Sequence, residues 1–129
     1  MEEFDIAIIG GGPAGIMAAI AASADLNIVL LEKNSSLGSK LLITGGGRCN
    51  ITNEKPIKKL LNSFHDKNFL KHSFYTFTNE MLLDLFRNRG LDFIVEDNNR
   101  VFPETEKSQD ILAILKYYLK DITIKSVSY

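Results

Sequence analysis

The sequence of 129 residues predicts an α/β fold that begins with a βαβ unit on a parallel sheet. Three observations support this fold class. Two short apolar runs, residues 4–9 and 27–31, fit buried strands. Between them lies a run of small, helix-favouring residues, 14–23. A glycine-rich turn joins the first strand to this helix, and the length of the chain fits a single domain.

The first strand and the helix after it are predicted by residue type. Apolar and β-branched residues dominate FDIAII, residues 4–9, which suits a central strand that is covered on both faces. Residues 14–23 are small and apolar on every side, as expected for a buried helix that lies close to a sheet. Pro13 stands at the first helical position, where the missing N–H of proline costs nothing.

The turn between strand and helix has the spacing Gly10-x-Gly12-x-x-Gly15, which is typical of dinucleotide-binding proteins. The first glycine allows the tight turn, the second lets a pyrophosphate approach bare backbone, and the third lets the helix pack closely on the strand. The helix N-terminus adds unpaired N–H groups and the positive end of a dipole. This spacing also occurs in ordinary tight turns, so its meaning depends on its surroundings.

The second strand supplies that context because it ends in an acid. Glu32 follows residues 27–31 and lies close to the offset of about 20 residues at which a carboxylate meets the ribose hydroxyls of an adenine dinucleotide. A solvated acid at a strand end is the alternative interpretation. The order of strand, glycine turn, helix, strand and acid favours a Rossmann-like FAD/NAD(P)-binding βαβ domain.

The loop after Glu32 favours FAD over NAD. A Rossmann unit that serves NAD usually proceeds directly to its next helix, whereas this chain enters a loop that contains Gly38 and the glycine triplet 45–47. Glycines permit close approach of the backbone to a ligand, and Arg48 and Asn50 offer charge-assisted and amide hydrogen-bond donors. Such a loop suits the pyrophosphate and the ring system of a larger ligand.

Here the motifs resemble a known family. The glycine turn, the acid–lysine pair after the second strand and the stretch GSKLLITGGGRCNITN, residues 38–53, resemble the BaiN-like (YhiN-like or aminoacetone-oxidase-like) FAD-dependent oxidoreductases. Residues 90–115 are similar to the same family. The resemblance covers essentially the whole chain but only the N-terminal part of the family's usual length. Ser39 departs from the family, which has a basic residue before Lys40, and this affects a peripheral phosphate contact.

The resemblance implies which residues hold FAD. The glycine turn would contact the pyrophosphate, Glu32 the adenosine ribose, and Lys33 the surroundings of the adenine. Six residues would line the phosphate and flavin side, namely Lys40, Gly46, Gly47, Arg48, Cys49 and Asn50. A solvated cation is an equal alternative for Lys33 and Lys40. The candidate cofactor-binding residues are Gly10, Gly12, Pro13, Ala14, Gly15, Glu32, Lys33, Lys40, Gly46, Gly47, Arg48, Cys49 and Asn50.

Cys49 is the only cysteine, so no disulfide or dithiol pair can form within the chain. A structural or flavin-packing role is favoured over a redox or nucleophilic role, because no feature of the sequence lowers the pKa of its thiol. His65 and His72 have no cysteine partner, and no metal site is predicted. The sequence assigns no catalytic residue.

Residues 54–121 are predicted to form a mostly helical insertion, and residues 122–129 a third strand. An amphipathic helix is expected over residues 78–89, capped by Thr78 and ended by Gly90. Ser108 is predicted to cap a further helix over residues 111–119. The helix over residues 78–89 should bury one face formed by Met81, Leu82, Leu85 and Phe86.

Three phenylalanines lie in the lysine-rich stretch 57–75, namely Phe64, Phe69 and Phe74. They could form an aromatic ligand surface. We favour short helices that dock these rings onto a sheet, because aromatic side chains dominate protein cores.

The end of the chain suggests that a domain is incomplete. In the flavoproteins that the motifs resemble, a later strand pairs with the first strand and carries further flavin contacts. We therefore expect residues 1–129 to be the N-terminal part of an FAD-binding domain, apparently truncated. Residues 1–53 would hold the βαβ unit and the glycine loop, and the substrate domain would be absent.

Composition and charge restrict the class of protein. The hydrophobic fraction of 45% and the charged fraction of 24% are typical of a globular protein. A formal net charge of −1 gives no reason to expect nucleic acid or an anionic membrane as partner. The chain opens with Glu2 and Glu3, unlike a signal peptide, and no apolar run approaches the ~20 residues that span a bilayer. A cytoplasmic protein that binds small molecules is expected.

The predicted function is the FAD-binding portion of a flavin-dependent oxidoreductase, linked to NAD(P)H and acting on a small organic substrate. The first alternative is a non-catalytic adenine-dinucleotide-binding module or an inactive fragment. The second is a dehydrogenase that uses NAD directly, without FAD.

Overall fold

The structure is a computed structural model that describes residues 1–22 and 25–127. The strands of the described part are β1 (Ile6–Ile9), β2 (Ile28–Glu32), β3 (Thr52–Asn53), β4 (Phe93–Glu96), β5 (Arg100–Pro103) and β6 (Thr123–Ser126). Its helices are α1 (Pro13–Ala22), α2 (Ser39–Ile43), α3 (Ile57–Leu61), α4 (Lys67–Thr76), α5 (Asn79–Arg87) and α6 (Ser108–Tyr118). Within these described ranges, no helix is long and apolar enough to cross a membrane.

The first sheet is parallel, with the strand order β1-β2-β6. Ile8 of β1 lies beside Leu30 of β2, and Leu30 lies beside Ile124 of β6. The predicted α/β fold class is confirmed, since two parallel strands flank α1. The helix predicted over residues 14–23 begins at Pro13, and the end predicted at Ser23 lies outside the described residues. The last two positions of the strand predicted over residues 122–129 also lie outside them.

The core lies where the parallel sheet meets α1, α5 and α6. The fully or almost fully buried side chains at this junction include Ile16, Ala19, Leu30, Phe86, Ile111 and Leu115. The burial of each large apolar side chain contributes about 1.5–3 kcal/mol. This packing fixes α1 against β1 and β2, and so fixes the glycine turn that precedes α1.

The second sheet is antiparallel, with the strand order β3-β5-β4. A tight turn at residues 97–99 joins β4 to β5. The backbone N–H of Ile51 donates to the carbonyl of Val101, which ties the segment after the glycine triplet to β5. The region 54–121 therefore contributes two strands in addition to its helices.

The predicted cap of α5 is confirmed, whereas the predicted buried face of α5 and the predicted cap of α6 are corrected. Thr78 caps α5 as predicted, with its hydroxyl accepting from the N–H of Met81 at 3.2 Å. The buried stripe of α5 runs through Leu83 and Phe86, whereas Met81 is exposed at the outer side of the first turn. Ser108 is not a cap, because it is the first residue of α6 and its buried hydroxyl donates to the carbonyl of Leu42 at 2.9 Å.

The prediction that the phenylalanines of the lysine-rich stretch dock onto a sheet is wrong for Phe64 and Phe69, whereas Phe74 is half-buried and lines a cleft together with Thr52 of β3. Helix α4 has no buried residue, and the side chain of Phe69 is 79% exposed. Phe64 is also exposed and packs beside Phe74, with ring centroids 5.3 Å apart. The reason is that α4 packs against α3, and only Leu61 of α3 is buried. We call residues 57–76 the α3–α4 hairpin.

Candidate cofactor-binding site

The glycine turn presents bare backbone to open space. Gly10 has a φ of +102°, a conformation that favours glycine, and its N–H donates to the carbonyl of Leu31 at 2.8 Å. A Cβ atom at Gly15 would lie 1.9 Å from the Gly10 carbonyl oxygen, so α1 touches the turn that precedes it. A Cβ atom at Gly12 would meet no atom within 4 Å. The turn is therefore closed on the helix side and open at Gly12.

Gly11 connects the turn to the rest of the site, and the sequence motif does not identify it. Its N–H donates to Glu32 Oε2 at 2.6 Å, and its carbonyl accepts from the N–H of Gly38 at 2.8 Å. A Cβ atom here would lie 2.3 Å from Cδ2 of Leu37. The motif allows any residue at this position. The signal that could have found it is the run of three consecutive glycines, of which Gly11 is the middle one.

Glu32 points toward the glycine turn and is only 9% exposed. Besides the N–H of Gly11, its carboxylate accepts from the backbone N–H and the side-chain amide of Asn34, both at 2.8 Å. The backbone N–H of Lys33 also interacts with this carboxylate. The N–H groups of Asn34 and then Gly11 hold the pKa of the Glu32 carboxyl below its ordinary value. Asn34 is a second residue that the sequence motif does not identify.

Acid is expected to destabilise the fold partly through Glu32. Because its folded pKa lies below the ordinary value of 4.5, the ionised carboxylate contributes stability that is fully present above that pH and is lost as the pH falls through the folded pKa. Glu32→Gln should remove this contribution. We expect the thermal midpoint of the parent to fall further than that of the variant between neutral pH and about pH 3.

The control for this measurement is Glu96→Gln, since the pKa of Glu96 is also lowered, chiefly by its hydrogen bond from Arg48. Each variant should lose only its own part of the acid sensitivity, because the two carboxylates have no partner in common. Equal falls for the parent and the Glu32 variant would show that this carboxylate is not preferentially stabilised in the folded state.

A first cleft of about 360 Å³ opens beside the glycine turn. Its walls come from the turn, from the end of β2 and from the start of α2. Six candidate residues line it: Gly10, Gly12, Pro13, Glu32, Lys33 and Lys40. The structure thus brings together the open glycine, the acid and two lysines.

A second cleft of about 390 Å³ lies on the other side of the α1 N-terminus. Its wall is mostly apolar and includes Met17, Leu82 and Phe86. Five candidate residues line it: Pro13, Ala14, Lys40, Cys49 and Asn50. Pro13 and Lys40 line both clefts, so the two spaces meet at the first turn of α1.

The remaining candidates line neither cleft. Gly15 is inside α1, and Gly46 and Gly47 lie in a short 3-10 turn with positive φ. The Arg48 guanidinium donates to Glu96 at 2.6 Å and to Glu106 at 2.8 Å. It also stacks on the Phe102 ring, 4.1 Å from its centroid. Arg48 therefore holds the glycine loop against β4 and β5, and its charge is already paired.

Cys49 is buried in the wall of the second cleft and has a φ of +62°, which is uncommon for a side-chain-bearing residue. Its N–H donates to the carbonyl of Thr44 at 3.0 Å. Burial raises the pKa of the Cys49 thiol, so the thiol is protonated at neutral pH. This environment supports a structural or packing role over a nucleophilic one.

Comparisons with known proteins identify the family of this chain. The profile of the HI0933-like protein Rossmann domain family matches residues 4–128. The chain is 33% identical over 123 residues to 3-dehydro-bile acid delta(4,6)-reductase of Clostridium scindens, across 93% of this chain and 30% of that protein. It is 33% identical over 118 residues to ribosomal RNA dihydrouridine synthase of Escherichia coli, across 89% of this chain and 28% of that protein.

Among solved structures, THI4 of Thermovibrio ammonificans has the same fold. The TM-score is 0.53 at 16% identity, and the match covers 96% of this chain and 38% of that chain. The chain spans less than a third of the length of the two curated relatives that it matches. The family match covers every residue that lines the two clefts. The chain belongs to the HI0933-like Rossmann domain family, that of the BaiN-like and YhiN-like FAD-dependent oxidoreductases.

Proposed function

We propose that this chain is the FAD-binding portion of a flavin-dependent oxidoreductase linked to NAD(P)H and acting on a small organic substrate. The observation that carries the proposal is the pair of clefts that meet at the N-terminus of α1. Both clefts have mostly apolar walls, and only the first also contains the Glu32 carboxylate and Lys33. This division matches the two halves of FAD, a polar adenosine and a flat flavin ring.

The adenosine half is assigned to the first cleft. The Glu32 carboxylate lines this cleft and can accept a hydrogen bond from a ribose hydroxyl, and Lys33 lines the same space. The open position at Gly12 leaves room for a diphosphate against the backbone. The first N–H groups of α1 and the Lys40 ammonium are suited to its negative charge.

The flavin half is assigned to the second cleft. Its apolar wall, which includes Leu82 and Phe86, can exclude water from a bound ring. Asn50 offers an amide donor, and the neutral Cys49 thiol offers a packing contact. FAD itself supplies the hydride-transfer chemistry when bound, while these residues bind and orient it.

The names of the relatives do not identify the substrate of this chain. One of them is named for a bile acid and the other for ribosomal RNA, and the chain covers less than a third of each. The expectation that this chain has no nucleic-acid partner accordingly stays a prediction. We propose a small organic substrate.

Cofactor titration tests the proposal. The purified chain is titrated separately with FAD, NAD and NADH, and flavin absorbance and fluorescence are recorded. Saturable FAD binding supports the FAD site, and bleaching of the bound flavin by NADH supports the link to NAD(P)H. Weak binding of all adenine nucleotides without bleaching would instead favour a non-catalytic module. Binding of NAD without FAD would favour a dehydrogenase that uses NAD directly.

A further inference from the structure

The loop at residues 44–50 forms part of the wall of the second cleft, although its own sequence gives it little rigidity. Thr44, Cys49 and Asn50 of this loop line the cleft. The loop residues with positive φ are Gly45, Gly46, Gly47 and Cys49. A glycine-rich segment has more conformational freedom to lose than any other when it is fixed in one shape. The shape of this part of the wall therefore depends on contacts between the loop and other elements.

Arg48 makes such a contact from the middle of the loop, although it lines neither cleft. Its guanidinium meets Glu96 in two places, with Nη1 to Oε1 at 2.6 Å and Nη2 to Oε2 at 3.2 Å. Nη1 also donates to Glu106 at 2.8 Å, and the guanidinium stacks on the Phe102 ring. A bidentate pair fixes orientation as well as distance. We call these four residues the Arg48 clamp.

The two acids of the clamp differ in their surroundings. Glu106 has a φ of +55°, a conformation that residues with a side chain rarely adopt. Its identity is therefore better explained by the contact of its side chain with Arg48 than by the preference of its backbone. The Glu106 side chain is 52% exposed and that of Glu96 is 29% exposed, so water and salt weaken the Glu106 contact more. Glu96 is accordingly the main partner of Arg48.

We propose that Glu96 and Glu106 are positioning residues for the flavin half of the cofactor and act through Arg48. This inference rests on the proposed function, which assigns the flavin to the second cleft. The clamp holds the loop, and the loop places Cys49 and Asn50 in the wall of that cleft. No residue of the loop or of the clamp lines the first cleft. The clamp therefore sets the affinity for the flavin ring and leaves the binding of adenosine diphosphate unchanged.

Titration with FAD and with ADP separates the two halves, because ADP carries the adenosine and the diphosphate without the flavin. Glu96→Gln keeps the size of the side chain and removes its charge. This variant should bind FAD about fivefold more weakly and ADP as the parent does. Glu106→Asn suits the backbone at positive φ and should weaken FAD binding less than Glu96→Gln. Isothermal titration calorimetry measures both ligands.

Two Arg48 variants test whether the acid acts through the guanidinium. Arg48→Ala should weaken FAD binding at least as much as Glu96→Gln does. Combining the two substitutions should then give no further loss, since the acid has no guanidinium left to position. Arg48→Lys keeps the charge without the fork and should recover only part of the FAD affinity.

Labelling of Cys49 reports on the loop without any cofactor. Cys49 is the only cysteine of the chain and is buried. A chromogenic disulfide reagent, applied without denaturant, should therefore react slowly with the parent. It should react several times faster with Glu96→Gln and with Arg48→Ala, because a released loop exposes its thiol more often.

Glu80→Gln is the matched control, since Glu80 also accepts from an arginine, Arg87, at 3.1 Å and lines neither cleft. It should match the parent in both titrations and in labelling. Equal losses of FAD and ADP affinity in Glu96→Gln, or unchanged FAD affinity, would overturn the proposal. Tighter binding of both ligands by Glu96→Gln would also overturn it, because a freed Arg48 would then contact the diphosphate directly. A parent that binds neither ligand would contradict the proposed function, and unchanged labelling would by itself refute the clamp.

Discussion

Replacing Gly12 with valine is expected to abolish FAD binding while the fold is kept. The position of its Cβ has no protein atom within 4 Å, and Gly12 is not among the residues with positive φ. The protein can therefore accommodate a side chain there. A diphosphate cannot bind in the first cleft of this variant, because the valine side chain would occupy the space beside the bare backbone. We expect FAD affinity to fall at least about 100-fold, equivalent to about 2.8 kcal/mol.

Flavin fluorescence titration measures the loss, and far-ultraviolet circular dichroism checks that helical content is unchanged. Ala113→Val is the control, since it adds similar bulk at an exposed position of α6 that lines neither cleft. Gly12→Ala should give an intermediate affinity. A valine variant that binds FAD as tightly as the parent would show that the turn is not the phosphate site, and the proposed function would then lose its main support.

The elements that the sequence predicts well are those set by local pattern. A strand, a glycine turn and a small-residue helix lie within the first 22 residues, and their packing requires only that each lie beside the next. The offset of Glu32 from the turn follows from the same geometry, because parallel pairing of β1 and β2 places the ends of both strands at one edge. The acid accordingly faces the turn.

The features that the sequence does not predict depend on residues far away in the chain. The charge partners of Arg48 lie 48 and 58 positions later, so nothing near it indicates that its guanidinium is already paired. The crowding at Gly11 depends on where Leu37 packs after an intervening helix and strand. Motif spacing identifies neither of these, because it records residue types and not contacts.

The α3–α4 hairpin shows the same limit for apolar residues. Periodicity indicates that Phe69 belongs to a helix, but it does not say which surface that helix meets. In the fold α4 meets α3 rather than a sheet, and this ring remains exposed. Overall charge likewise does not show where charges lie, because a net value of −1 is compatible with a lysine-rich stretch at residues 55–76 when acids lie elsewhere.

Adding a single methyl group at Gly15 is expected to destabilise the fold, in contrast to the same change at Gly12. A Cβ atom at Gly15 would lie 1.9 Å from the carbonyl oxygen of Gly10 and 3.5 Å from Cγ2 of Ile8. The contact with Gly10 can be relieved only if α1 moves away from β1, which would disturb the burial of Ile16 and Ala19. Helix propensity alone favours alanine over glycine by about 1 kcal/mol, so a net loss has to come from this contact.

We expect Gly15→Ala to lower the free energy of unfolding by about 3 kcal/mol or more, a large share of the roughly 5–15 kcal/mol of a typical domain. Urea denaturation without cofactor, followed by circular dichroism, measures this free energy of unfolding. Gly12→Ala is the matched control and should unfold at about the urea concentration of the parent. If the two alanine variants unfold together, α1 does not approach the turn as closely as the structure describes. If they separate, Gly15 is required for the close approach of α1 to β1, whereas Gly12 is not required for the stability of the fold.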